Sequence, residues 1–225
     1  MVIVTSKPAW SFSRLNAFET CPKQFYHTSI AKDVKVPESP EQKFGNELHK
    51  AMEKRLGSGV ALTKKFDFME PAAAMLEKAP GKRYAEMQIA IDQNMQVVDW
   101  FAPTVWARAI VDLAIVDGEK GIIIDWKTGA KMTDDFTQQQ AAAALTFVKF
   151  PQLQSIEMGY YWTKHMKLTR QTIVKDDIRH VWSVLLRKIR PYVNAHATVT
   201  FPPRPSGLCK KHCAVVTCPH NGAYA

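Results

Sequence analysis

Asp117-Gly118 stands between two apolar runs, and that arrangement constrains the fold more than any other feature of this chain. Arg108-Ala109-Ile110-Val111-Asp112-Leu113-Ala114-Ile115-Val116 precedes it, and Gly121-Ile122-Ile123-Ile124-Asp125-Trp126-Lys127 follows the turn. An aspartate–glycine pair in that position signals a hairpin, because both residues tolerate the positive φ of a tight turn. Symmetric pairing about the turn sets Val116 opposite Gly121 and carries Asp112 opposite Asp125. Strand side chains alternate. Val111, Leu113 and Ile115 therefore meet Ile122, Ile124 and Trp126 on one apolar face, while Asp112, Asp125 and Lys127 share the other. Directly opposed residues hold their Cβ atoms roughly 4.5–5.5 Å apart, so two carboxylates there repel unless a cation lies between them. Thr128-Gly129 turns the chain at once. The pattern offers paired carboxylates for a divalent cation and an ammonium for a water or phosphate oxygen. The plainer reading is an exposed face with scattered charges.

The 225 residues suffice for one domain with a sizeable core. No run approaches the roughly 18 apolar residues of a membrane span, and Met1-Val2-Ile3-Val4-Thr5-Ser6-Lys7 lacks the apolar segment of a secretory signal. A cytoplasmic protein without a membrane partner is expected, and in that reducing setting the four cysteines are metal ligands or free thiols rather than disulfides. The net charge is +9. Between Lys164 and Lys211 eleven Lys/Arg face only Asp176 and Asp177, while the remainder balances at 19 against 19. Such a basic segment is the footprint of a polyanion partner, with Arg187 and Lys188 as candidate nucleic-acid contacts. A solvated helix face is the alternative.

Periodicity predicts helices over 11–20, 41–56, 138–149 and 176–190, and a weaker helix or loop over 57–80 with Pro71 in a first turn. Strands are expected at 85–91, 95–100, 104–116, from 121 onward, and at 158–163, with an irregular tail from Phe201. The order describes a mixed sheet clasped by helices, an α/β (α+β) fold. Trp106, Tyr160, Tyr161 and Trp162 are candidate base-stacking side chains, although a strand-borne aromatic run is more often core. His49 lies one helical turn after Gly45, whose missing side chain lets another group approach. Glu86 sits mid-strand.

Taken together, Ser11-Phe12-Ser13-Arg14-Leu15-Asn16-Ala17-Phe18-Glu19-Thr20-Cys21-Pro22, Gly45-Asn46-Glu47-Leu48-His49, Glu86, Asp112 and Asp125-Trp126-Lys127-Thr128-Gly129 resemble the RecB-like branch of the PD-(D/E)XK nuclease superfamily. That branch includes helicase–nuclease nuclease domains and CRISPR-associated exonucleases. The resemblance implies a restriction-endonuclease-like core at about 41–165 within a single domain spanning 1–225, with 10–30 and 176–225 forming a cysteine-linked clasp. It implies that His49, Asp112 and Asp125 hold Mg²⁺ or Mn²⁺ and that Lys127 works on the attacking water. Glu86 becomes an outer ligand or base. Gln138 becomes the glutamine that contacts substrate, because its distance to Phe150-Pro151 matches the family. Two positions depart from the pattern. Ala109 stands where a glycine is common, and Gln138-Gln139-Gln140 is followed by alanines rather than a tyrosine.

Cys21 far upstream and Cys209, Cys213 and Cys218 near the end resemble the [4Fe-4S] staple of iron–sulfur members. The spacing here is C-x₃-C-x₄-C, with His212 where the middle cysteine usually falls, so Zn²⁺ on Cys₄ or Cys₃His is the alternative, and unliganded thiols the third. The expected activity is a metal-dependent exodeoxyribonuclease on single-stranded or frayed ends, in recombination, repair or phage DNA processing. With no Walker-type motif in the sequence, a helicase or recombinase partner is expected. A phage-encoded protein acting in the host cytoplasm fits the small size. The alternatives are a catalytically silent DNA-binding scaffold of the same fold and a structure-specific endonuclease.

Overall fold

The computed structural model describes residues 8–222. Met1–Lys7, read above as lacking a signal segment, lies outside them. The chain divides into two compact units: Glu38–Trp182, and a second made from both chain ends, up to Pro37 and from Ser183 onward.

The Glu38–Trp182 unit is built on a five-stranded sheet ordered β1-β2-β3-β4-β5, with β1 Lys82–Ile91, β2 Ala107–Asp117, β3 Lys120–Lys127, β4 Ser155–Trp162 and β5 Lys167–Val174. Only β3 and β4 pair in parallel; the other neighbours are antiparallel. This is the mixed sheet flanked by helices that the sequence predicts. The β2–β3 register runs as the hairpin argument requires, from Asp117 opposite Lys120 through Leu113 opposite Ile124. There the hydrogen-bonded pairing stops, one residue short of the two acids.

Helix α3 (Pro40–Ser58) starts on a capping box, Ser39 with Gln42, carries Pro40 in its first turn, and ends at Gly59 in the left-handed region. Its apolar stripe Leu48, Met52 and Leu56, with Ala72, Ala73 and Leu76 of α4 (Glu70–Glu77), packs on Leu113, Ile115, Ile124 and Trp126. That is the predicted apolar face of the hairpin. Arg55 fastens α3 to α4 by reaching both Glu70 and Glu77. Helix α5 (Thr137–Lys149) contacts β1 through β4. Tyr160, Tyr161, Trp162 and Trp106 are buried, so they belong to the core and do not offer faces to bases.

Two expectations change. Residues 95–100 form no strand: Val97 makes a single bridge to Ile91, and the segment is the turn-rich connection from β1 to β2. Strand β5 was not anticipated, because Lys167-Leu168-Thr169-Arg170-Gln171-Thr172-Ile173-Val174 is a polar edge strand with little apolar alternation.

In the second unit, α1 (Phe12–Thr20) is capped by Ser11, α2 (Pro22–Phe25) opens on Pro22 and runs into a π-turn, and α6 (Ile178–Thr198) enters from the other unit. Phe18 and Phe25 pack edge-on to Tyr192 at 5.6 and 5.7 Å. The Tyr192 hydroxyl accepts from Arg14 Nε and donates to the Ala9 carbonyl. Among the described residues no helix is long and apolar enough to cross a membrane.

Candidate active site

The site forms where the β2–β3 ladder opens. Beyond Leu113 the Trp126 N–H no longer bonds to β2 backbone; it donates to Asp112 Oδ2 at 2.9 Å. The register points Asp112 toward Asp125, but the backbone pairing ends at Leu113 and Ile124. The Asp112 carboxylate is drawn toward the neighbouring backbone. On β1, Glu86 lacks a ladder partner too, although Ala85 and Met87 keep the register with Leu113 and Val111. Glu86 has φ 47°, a left-handed conformation that costs a non-glycine residue about 1–3 kcal/mol and that concentrates at functional sites.

From α3, His49 enters this opening. Its Nε2 lies 3.0 Å from the Trp126 carbonyl and its Nδ1 3.2 Å from Asp112 Oδ2. Both partners are acceptors, so both ring nitrogens donate and the imidazole is a cation. Burial opposes that charge, but the Asp112 hydrogen bond and the Asp112 and Asp125 charges outweigh it and push the pKa up to about 9. Glu86 Oε1 lies 3.9 Å from Nδ1; burial and the Asp112 charge raise its pKa above the ordinary carboxylate range. One ligand atom each from His49, Glu86 and Asp112 lies within 4.8 Å of the others. Gly45, one turn before His49, has no side chain because a Cβ there would stand 3.1 Å from Thr128 Oγ1. The glycine lets α3 lie against the chain that leaves β3.

Asp125 is held from the other side. Gln138 Nε2 donates to its Oδ1 at 2.8 Å, and Gln138 Oε1 accepts from Lys127 Nζ at 3.0 Å. Lys127 Nζ forms an ion pair with Asp125 Oδ2 at 2.7 Å, so both carboxylate oxygens are held from this side. Burial first, then the Asp112 charge, lift the Asp125 pKa to about 6 against the opposing pull of Lys127. Of the three glutamines only Gln138 makes these contacts; buried Gln139 donates instead to the Gly159 carbonyl.

Tyr160, a stacking candidate in the sequence, belongs instead to the site, a placement that sequence reasoning missed. Its ring lies 4.9 Å under Lys127 Nζ and stacks on Phe136 at 5.0 Å. The parallel β3–β4 register, which puts Tyr160 beside Asp125, is the signal, and a sequence without known strand order does not reveal it. Arg187 and Lys188 lie in the other unit, where Lys188 pairs with Glu19 at 2.6 Å and Arg187 is exposed.

The donor set suits a hard divalent cation: carboxylates, a backbone carbonyl and one imidazole. The chain matches the family model of the PD-(D/E)XK nuclease superfamily over residues 9–219. It belongs to that superfamily. The protein is thus a nuclease of a family that acts on DNA with divalent metal ions. Two solved structures share the PD-(D/E)XK fold. SSO0001 is 16% identical, with a TM-score of 0.53, covering 97% of this chain and 89% of its own. A candidate exonuclease from Eubacterium rectale is 13% identical, with a TM-score of 0.56, covering 96% and 88%. No curated protein matches the chain.

The cysteines, all in the unit of the chain ends, form no disulfide. Cys21, Cys209, Cys213 and Cys218 line one small cavity with Arg204 and His220, and His212 is not among its walls. Backbone N–H groups of Arg204 and Ser206 point at the sulfurs of Cys21 and Cys209, at 3.4 and 3.3 Å.

Proposed function

We propose that the protein is a divalent-metal-dependent exodeoxyribonuclease of the RecB-like branch, acting on single-stranded or frayed DNA ends. The observation that carries this reading is Asp125: a buried carboxylate clamped by Gln138 and Lys127 beside the group of His49, Glu86 and Asp112. A structural ion pair would not collect three further ionisable groups around it.

His49, Asp112, Asp125 and the Trp126 carbonyl hold Mg²⁺ or Mn²⁺, which supplies a lowered water pKa and positive charge against the phosphate. Lys127, aimed by Gln138 and the Tyr160 ring, orients the attacking water and meets the negative charge that grows on the phosphoryl oxygens. Glu86, its proton affinity raised by burial, takes a proton from water or steadies His49. The unit of the chain ends acts as a clasp around a [4Fe-4S] cluster on Cys21, Cys209, Cys213 and Cys218. The four thiols line one cavity, which such a cluster requires, and a single Zn²⁺ on the same thiols is the alternative. A separate helicase or recombinase supplies the strand in repair, recombination or phage DNA processing, within the cytoplasm.

The test is incubation with end-labelled linear and circular single-stranded DNA, with and without Mn²⁺. The expected result is metal-dependent loss of the linear strand alone. Cutting of circles would make it an endonuclease, and inertness toward every DNA would make it a silent binding module.

A further inference from the structure

The connection between β1 and β2, residues 92–106, is long for a compact domain, and loops of that length are usually functional. It is not slack. Asp92 Oδ1 accepts the N–H groups of Asn94 and Gln96 at 2.9 Å, Val98 bonds back to the Ala90 carbonyl at 2.9 Å, and Trp106 to that of Ile91 at 2.8 Å. Its tip nevertheless holds Phe101 in solvent at 86% exposure, the most exposed large apolar side chain among the described residues. A ring presented by an ordered turn stabilises nothing in the fold; it marks a contact surface.

Beside it, Trp100 is pinned. Arg108 Nε donates to the Trp100 carbonyl at 2.9 Å, and its guanidinium lies 5.3 Å over the indole. The loop borders a cleft of about 620 Å³ lined by Gln88, Val97, Trp100 and Lys149, with Asp99 the acid among them. The strands that line it run on toward the acids. Gln88 pairs with Ile110 and Ala90 with Arg108. Strand alternation puts Arg108 and Ile110 on the same face as Asp112, in steps of about 7 Å. Ile110 is half exposed, and the β2–β3 pairing ends at Leu113.

We infer that the loop tip and the adjoining β2 face form a track for single-stranded DNA, with bases stacking on Phe101 and Trp100 and phosphates meeting Arg108 and Lys149. The inference rests on the nuclease reading and adds the binding path to it: an unpaired strand delivered along β2 to Asp112. Every base has a π-face, so stacking accepts any sequence, whereas a duplex keeps its bases stacked inside and offers none to a protruding ring. Two cations beside the rings favour a polyanion over a neutral protein surface.

The test measures fluorescence anisotropy of fluorescein-labelled oligo(dT) on the full chain without added divalent cation, so that binding is read apart from hydrolysis. Phe101→Ala is expected to weaken binding about 5- to 100-fold, with Phe101→Trp restoring it and Val174→Ala, exposed on β5, leaving it unchanged. Lys149→Ala is expected to flatten the salt dependence by about 0.7 in the slope of log K against log salt, one phosphate contact on a single strand. Phe101 is so exposed that its variants keep the wild-type melting temperature. Phe101→Ala binding oligo(dT) as tightly as the wild type would overturn the track and assign the patch to a protein partner. A wild type that binds oligo(dT) but never cuts it in Mn²⁺ would sink the proposed reaction while the track stands.

Discussion

At the scale of single residues, the site stores charge that the fold tolerates at a cost. Asp125 titrates near 6 rather than at its ordinary value of 3.8 because burial and the Asp112 charge disfavour its anion. Its pKa is raised on folding, so the folded state binds the proton more tightly, and stability falls as pH rises from about 4 to 6, then stays low. Asp125→Asn removes that penalty. In metal-free protein it is expected to raise unfolding free energy on the order of 2 kcal/mol at pH 8, with the gain vanishing below pH 4. Denaturant melts at the two pH values check it, and equal stability at pH 8 would contradict it. His49 carries the opposite sign. Its imidazolium, with a pKa of about 9, stands where a metal ligand must be neutral, so Mn²⁺ binding displaces a proton. Calorimetry in buffers of different ionisation enthalpy is expected to show close to one proton released per Mn²⁺ at pH 7.5. Release should fall toward zero above pH 9, and apparent affinity should rise about tenfold per pH unit until then. Proton release that does not change with pH would remove His49 from the ligand set.

At the scale of elements, the site depends on how closely α3 lies against the exit of β3. Gly45 makes that approach, because a Cβ there would stand 3.1 Å from Thr128 Oγ1. Gly45→Ala is expected to shift His49 off the Trp126 carbonyl and weaken Mn²⁺ binding roughly tenfold, the usual cost of disturbing a ligand's support, while the fold survives. Thr128→Ala, which deletes the obstructing oxygen, is expected to restore most of the loss in the double variant. Additive effects of the two changes would mean that the contact does not position His49. The sequence shows such features where local chemistry dictates them. The tight turn at Gly118-Glu119, announced by Asp117-Gly118, fixes the register through Leu113 and Ile124, the capping residues Ser11 and Ser39 start their helices, and the G-x-x-x-H spacing puts the close approach one turn from the histidine. It hides what depends on distant parts of the chain. The left-handed φ of Glu86 comes from a ladder that opens between three strands. Tyr160 reaches Lys127 through a parallel pairing across α5. Polar β5 looks like a loop until its hydrogen bonds to β4 are known.

At the scale of the whole molecule, the two chain ends meet in one unit, and four thiols there line a single cavity. A metal group joining Cys21 to Cys209, Cys213 and Cys218 closes nearly the entire chain into one loop. By analogy with a disulfide, closing so long a loop restricts the unfolded chain by about 5 kcal/mol. A clasp of this kind stabilises the ends without touching the catalytic carboxylates, so its loss should separate stability from chemistry. Cys21→Ser is expected to lose the brown absorbance near ~400 nm that thiolate-bound iron gives. It should also lower the melting temperature on the order of 10 °C, since about 2–4 °C accompanies each kcal/mol in a chain of this size. Below its own melting temperature the variant should keep metal-dependent cutting of linear DNA. His212→Ala, whose side chain lies outside the cavity, should change neither colour nor melting. A colourless wild type carrying one zinc would replace the cluster with a single ion. A Cys21→Ser variant that melts with the wild type would mean that the chain ends hold together by their aromatic packing, Phe18 and Phe25 on Tyr192, and that the thiols add nothing to the clasp.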